Sequence, residues 1–258
     1  MKSGENMSYF SPSNLILKRR IGVKKAYISK KLTKYFSGIP LLSKLNSLSN
    51  GATFERISDV RRLGGVSNEV YSFFLTYRGG GHKQQINLVL KIYGKALDPV
   101  LRRYVNDENL ERCVKEFQVL GSLERVGFPA PRPCLCERDS NVLGYPFIIM
   151  LRVEPTQNST VEIDCFANSL ARLHSLDVTK LGIGVLKAPK DELEFARRYL
   201  LYLRRLLNLL PSRDKALKKD FEYAISWLES RVSHNGCTDY CLLHGDYRAG
   251  INANLTED

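Results

Sequence analysis

The chain has 258 residues, 43% of them hydrophobic and 10% aromatic, and a formal net charge of +12. That composition excludes a disordered or low-complexity protein, and the length allows one large domain or two lobes, each with its own core. No window holds eighteen uninterrupted apolar residues, and the N-terminal MKSGENMSYFSPSN lacks the apolar stretch of a secretory signal, so a cytoplasmic address is expected.

Residues 1–50 carry ten Lys or Arg and one acid, whereas the rest of the chain carries 29 basic and 26 acidic residues. The positive charge thus belongs to a basic extension and not to the body, which argues against a specific nucleic-acid surface. Within the extension Leu17, Ile21, Ile28, Leu32 and Tyr35 fall on one helical face, with Lys18, Arg19, Lys24, Lys25, Lys30, Lys31 and Lys34 around them. Such a helix can make weak contact with an anionic membrane or RNA. The plainer expectation is a solvated helix packed loosely on the body.

From Arg56 the pattern becomes that of strands. ISDVRRLGGVSNEVYSFFLTYR reads as two strands around a Gly-Gly turn, RGGGHKQQ as a second turn, and INLVLKIYG as a third strand. Residues 107–126 read as a helix capped by Asn106 or Asp107, with Val114, Phe117, Leu120 and Leu123 as its apolar stripe. PAPRPCLCERD and VLGYPFIIML read as an antiparallel pair turning at Ser140-Asn141. Beyond Pro155 the pattern is helical, with Ile163, Phe166, Leu170 and Leu173 on one face and further helices over about 191–209 and about 214–233. The order predicts an α+β chain: a basic extension (1–50), a sheet-rich lobe (51–152) and a helical lobe (153–258).

The six cysteines, Cys113, Cys134, Cys136, Cys165, Cys237 and Cys241, are expected as free thiols. Neither Cys134-x-Cys136 nor Cys237-x3-Cys241-x2-His244 has the usual spacing of a structural zinc site.

Five segments carry candidate chemistry. Leu63-Gly64-Gly65-Val66-Ser67-Asn68 is a turn whose glycines let backbone N–H groups approach phosphate oxygens, with Ser67 and Asn68 as further donors; it also reads as a plain hairpin. Val89-Leu90-Lys91-Ile92 places one cation in an apolar strand, where a lysine is usually an edge residue reaching water. Glu116 on the following helix is an acid at a suitable distance along the chain to pair with it. Tyr145-Pro-Phe-Ile-Ile-Met150-Leu-Arg152-Val-Glu-Pro155 is a buried strand running into a hinge. Leu170-Ala-Arg-Leu173-His174-Ser175-Leu176-Asp177 is a helix end in which His174 is a core or helix-end hydrogen-bonding residue. Leu243-His244-Gly245-Asp246-Tyr247-Arg248-Ala249-Gly250 presents a carboxylate on a glycine-bearing loop.

In this order the five segments resemble the aminoglycoside phosphotransferase and choline kinase superfamily across about 56–252. The resemblance implies a two-lobed, protein-kinase-like fold and transfer of the γ-phosphoryl group of ATP, with Mg2+, to a hydroxyl of a small polar metabolite. It implies that Asp246 is the catalytic base and that His244 braces its loop from the core. Gly64, Gly65, Ser67 and Asn68 would cover the phosphates, with Lys91 and Glu116 as the phosphate-binding pair. Met150 and Arg152 would lie at the adenine strand and hinge, the adenine contacts being made by the backbone. HGD in place of HRD sets the chain apart from protein kinases.

Two departures qualify the activity. The family places Asn five residues after the catalytic Asp to hold Mg2+; here Ile251 stands at that position and Asn252 follows one residue late, as a metal ligand only if the loop bulges. The chain ends at Asp258, before the strand that in the family carries a second Asp for the metal. The expectation is a chain cut off after its catalytic loop, with apolar helix faces left uncovered. The alternatives are an inactive homologue that still binds nucleotide, or a scaffold whose basic leader binds anionic surfaces.

Overall fold

The computed structural model describes residues 12–38, 45, 52–64, 68–94, 99–154, 163–184, 189–208, 215–232 and 240–245, with 12–23, 99–108 and 206 as backbone alone. Two compact units result, one of residues 1–124 with 129–153 and one of residues 125–128 with 154–258.

The first unit is a helix α1 (Pro12–Ser37), strands β1 (Thr53–Gly64), β2 (Asn68–Gly79) and β3 (His82–Tyr93), a helix α2 (Pro99–Arg125), and strands β4 (Pro133–Glu137) and β5 (Phe147–Leu151). The strands form one antiparallel sheet in the order β1-β2-β3-β5-β4, so β3 is central. β2 and β3 pair from Asn68↔Tyr93 to Gly79↔His82 around the two-residue turn Gly80-Gly81.

Strand parity sorts the side chains between two cores. Leu88, Leu90, Ile92, Phe147 and Ile149 join α1 residues Ile28, Leu32, Tyr35 and Phe36 in one cluster. Val89, Tyr93, Ile148 and Met150 join α2 residues Cys113, Phe117 and Leu120 in the other. The run Phe147-Ile-Ile-Met150 is apolar at every position because both faces of β5 are covered.

Helix α1 is therefore a layer of the core and not a loosely packed leader. Leu32 is fully buried, and Ile28 and Phe36 are each 2% exposed. Burial of such side chains stabilises by about 1.5–3 kcal/mol each. The Tyr35 ring meets Phe147 edge-on at 5.9 Å, and its hydroxyl donates to Glu137. Burial, followed by the bond to Glu137, pushes the Tyr35 hydroxyl above the usual tyrosine range. Lys24 pairs with Glu69, whose other oxygen accepts from the Tyr71 hydroxyl at 3.2 Å. For Leu17 and Ile21 only the helical backbone is described.

Helix α2 begins at Pro99, ahead of the expected start at 107. A proline suits a first helical position, where its fixed φ is helical and its missing N–H costs nothing; Asn106 and Asp107 lie inside the helix instead of capping it. Among its described side chains Cys113 is the most deeply buried, with Val114 only half-buried.

The second unit contains α3 (Ile163–His174), α4 (Glu192–Leu207) and α5 (Lys215–Arg231). Asp191 Oδ1 accepts from Glu194 N at 2.7 Å while Glu194 Oε2 reaches back to Lys190 N at 2.6 Å, a reciprocal cap on α4. α4 and α5 meet through Leu200, Leu207 and Ile225, with Arg204 and Glu229 paired at 2.6 Å across them. Leu173 is buried, whereas Ile163, expected on the same face, is 82% exposed at the first turn. Phe195, Tyr199, Tyr202, Phe221, Tyr223 and Trp227 are exposed on α4 and α5. Among the described residues no helix is long and apolar enough to cross a membrane.

Candidate functional site

The chemistry that the structure displays is gathered at one end of the sheet in the first unit. Lys91 lies on β3, flanked by Val70 of β2 and Ile148 of β5. It is thus at the centre of the sheet, and the edge-strand reading of a lysine in an apolar strand does not hold. Parity turns its side chain to the α2 face, with Val89 and Tyr93. There Nζ donates to Glu116 Oε1 at 2.6 Å and to Oε2 at 2.7 Å. Both oxygens engage one ammonium, so the cation is held in place from the helix. The two side chains are 24% and 33% exposed, which leaves the ammonium partly open to solvent or a ligand.

The Tyr93 ring flanks the pair. Lys91 Nζ lies 5.5 Å from its centroid and the Arg112 guanidinium 6.0 Å, within cation–π range. Burial and then the Glu116 carboxylate drive the Tyr93 hydroxyl above its ordinary range, so it stays neutral. Sequence reasoning passed over Tyr93, although its i+2 spacing from Lys91 on a strand already puts both on one face.

Register brings Gly64 and Asn68, the described ends of the Gly-rich segment, to the same end. Gly64 closes β1 opposite Val70, the residue that also faces Lys91, and Asn68 opens β2 opposite Tyr93. Asn68 is buried at 7% exposure, and its Oδ1 has no hydrogen-bond partner among the described residues. Gly65 and Ser67 lie outside the described residues.

Met150 is buried on β5 opposite Val89, again on the α2 face. At the hinge, Leu151 N donates to Arg132 O at 2.9 Å and Arg152 N to Asn87 O at 3.1 Å. Both amides are occupied by the sheet, so neither is an open donor for a ligand.

In the second unit Gly245 has φ +79°, the left-handed conformation that favours glycine, as expected of a tight loop before residue 246. His244 is exposed, contrary to the core position expected of it, and His174 is exposed at the end of α3, the helix-end alternative of its expectation. His244 sits in an irregular segment on the surface of its unit, and His174 follows the buried Leu173 and so turns outward by helical geometry. Asp246 and Asn252 lie outside the described residues. No group of three or more His, Cys, Asp or Glu among the described residues is placed to hold a metal ion.

Acyl-CoA dehydrogenase family member 11 of Rattus norvegicus is 24% identical over 152 residues, and that of Mus musculus 26% identical over 151. Each match covers 52% of this chain and only 18% of the relative, so the dehydrogenase name belongs to proteins of which most has no counterpart here. A crystal structure of a candidate aminoglycoside phosphotransferase from Ralstonia eutropha JMP134 overlaps 81% of this chain and 56% of its own, at 15% identity and a TM-score of 0.47. The profile of the phosphotransferase enzyme family matches residues 62–250, a span that takes in the Gly64–Asn68 turn, Lys91, Glu116, the hinge and the loop bearing Asp246, and the chain belongs to that family.

Proposed function

We propose that this chain moves the γ-phosphoryl group of ATP to a hydroxyl of a small polar metabolite. The observation that carries the reading is the two-oxygen clasp of Glu116 on Lys91, on the central strand and beside the start of β2. A phosphoryl-transfer site must neutralise and orient a polyphosphate, and a braced, partly open cation does this without reorganising. Lys91 then meets the α- and β-phosphates, Glu116 holds its direction, and the backbone of 64–68 covers the phosphate oxygens. Asp246 orients the acceptor hydroxyl and takes its proton as the oxygen attacks phosphorus.

The adenine lies against Met150 and the hinge. Because the amides of Leu151 and Arg152 are occupied, its donor is assigned to a later residue, with Val153 N–H the first candidate. Mg2+, which in phosphoryl transfer neutralises charge on the phosphates, would be held by Asn252 in this reading, with the loop bulging at Ile251.

A second reading is favoured by one residue. Ile251 stands where a metal-binding Asn is expected, which supports a chain that binds nucleotide but transfers phosphate slowly or not at all.

The test is ADP release from ATP and Mg2+ in the presence of sugars, amino alcohols or aminoglycosides, beside nucleotide affinity. Under the first reading Lys91→Met lowers turnover by roughly 10²-fold or more. Asp246→Asn abolishes turnover and leaves nucleotide affinity unchanged. Binding without turnover in the unmodified chain selects the second reading, and full nucleotide affinity in Lys91→Met would sink both.

A further inference from the structure

Cys113 and Cys136 are far apart in sequence but meet in the core between α2 and the sheet. Their sulfurs are 3.8 Å apart, Cys113 fully buried on α2 and Cys136 half-buried on β4. Adjacent cysteines do not make this contact. The register shift between Pro133 and Leu135 breaks the alternation of β4, so Cys134 enters the α1 cluster while Cys136 enters the α2 cluster.

We propose that Cys113 and Cys136 are a redox modification site, forming a reversible disulfide that clamps α2 to β4. A disulfide needs its sulfurs at about 2 Å, a closure that side-chain rotation and a small shift of the helix supply. The two thiols are also chemically unequal. The hydrogen bond between them raises the Cys113 thiol, which burial raises further. The same bond lowers the Cys136 thiol, with help from the Arg138 guanidinium and against the opposing effect of burial. Cys136 is therefore both the more exposed sulfur and the one nearer to thiolate.

With hydrogen peroxide as oxidant, the Cys136 thiolate attacks one peroxide oxygen, giving a sulfenic acid and releasing hydroxide. The Cys113 sulfur then displaces the sulfenic oxygen, which leaves as water with the thiol proton. The sulfurs together lose two electrons and the peroxide is reduced to water. A dithiol reductant reverses the bond by exchange.

The clamp acts on the site because Cys113 lies one helical turn before Glu116 on α2. Holding that turn to β4 holds the carboxylate against Lys91. This consequence for nucleotide rests on the reading of Lys91 and Glu116 given above.

The experiment treats the whole chain with peroxide, blocks remaining thiols, digests without reductant and maps cross-linked peptides by mass spectrometry. A linked pair containing Cys113 and Cys136, two hydrogens lighter than the reduced pair and released by dithiothreitol, is expected. Cys113→Ser and Cys136→Ser should each remove it. The oxidised chain should melt about 5 °C higher than the reduced chain, with no such shift in either variant. Its affinity for a non-hydrolysable ATP analogue should rise about twofold or more, as expected of a pre-organised site. Oxidation to a different pair, or to sulfinic acid at Cys136 without a crosslink, overturns the proposal. A crosslink without tighter nucleotide binding overturns its coupling to the site. A reduced chain with no nucleotide affinity refutes the kinase reading, and the peptide map still decides the disulfide.

Discussion

Gly94 shows how one missing atom sets the exit from the central strand. It follows Tyr93 with φ +126°, and a Cβ there would overlap the Tyr145 ring and crowd Asn109 Nδ2 at 2.7 Å. The chain has no slack, because Tyr93 N is also bonded to Pro146 O at 3.0 Å. Gly94→Ala should destabilise by about 3 kcal/mol, read as a lower midpoint in urea unfolding. Asp177, after α3, accepts from Thr179 Oγ1 at 2.6 Å and from Thr179 N at 2.9 Å. These bonds, with Lys180 assisting, lower its carboxyl to about 2. Since the folded value lies below the unfolded one, the stabilisation is fully present above roughly pH 4 and is lost as pH falls through about 2. A carboxyl-resonance titration should place its midpoint near that value, and Thr179→Ala should move it up toward the ordinary aspartate range.

At the scale of elements, α1 departs most from its sequence appearance. Its lysine content suggests a surface helix, yet Ile28, Leu32, Tyr35 and Phe36 close one face of the sheet. Leu32→Ala should cost about 2–5 kcal/mol, the usual loss for a fully buried leucine. A solvated leader would instead lose a few tenths at most, so a single denaturation curve separates the two. Helix α2 makes the opposite point. Its periodicity was readable, and Phe117 and Leu120 do face the sheet, but the residue that meets β4 is Cys113 and not Val114. Consecutive positions on a helix lie about 100° apart, so Cys113 and Val114 present different faces, and the opposing sheet selects between them.

For the whole molecule, the charge imbalance and the packing of α1 have to be taken together. From residue 24 onward the apolar face of α1 formed by Ile28, Leu32, Tyr35 and Phe36 is buried against the sheet, while Lys30 and Lys34 remain exposed. We predict that the chain binds anionic vesicles only at low ionic strength, is released on raising salt to about 0.5 M, and ignores neutral vesicles. Co-sedimentation measures this, and salt-resistant binding would show an apolar contact instead. By itself the sequence determined the local features: the strands, from alternation and glycine turns; the helices, from their periodicity; Glu116 as the acid placed to pair with Lys91; and the glycine before residue 246. Apart from that pairing, these depend on residues a few positions apart, so their physics is complete within a short stretch of chain. The tertiary structure alone decided that α1 is a core layer, that Lys91 lies on the central strand of the sheet, and that Cys113 meets Cys136. Each depends on which remote segment covers a given face, and that is settled by packing between elements that no local pattern encodes.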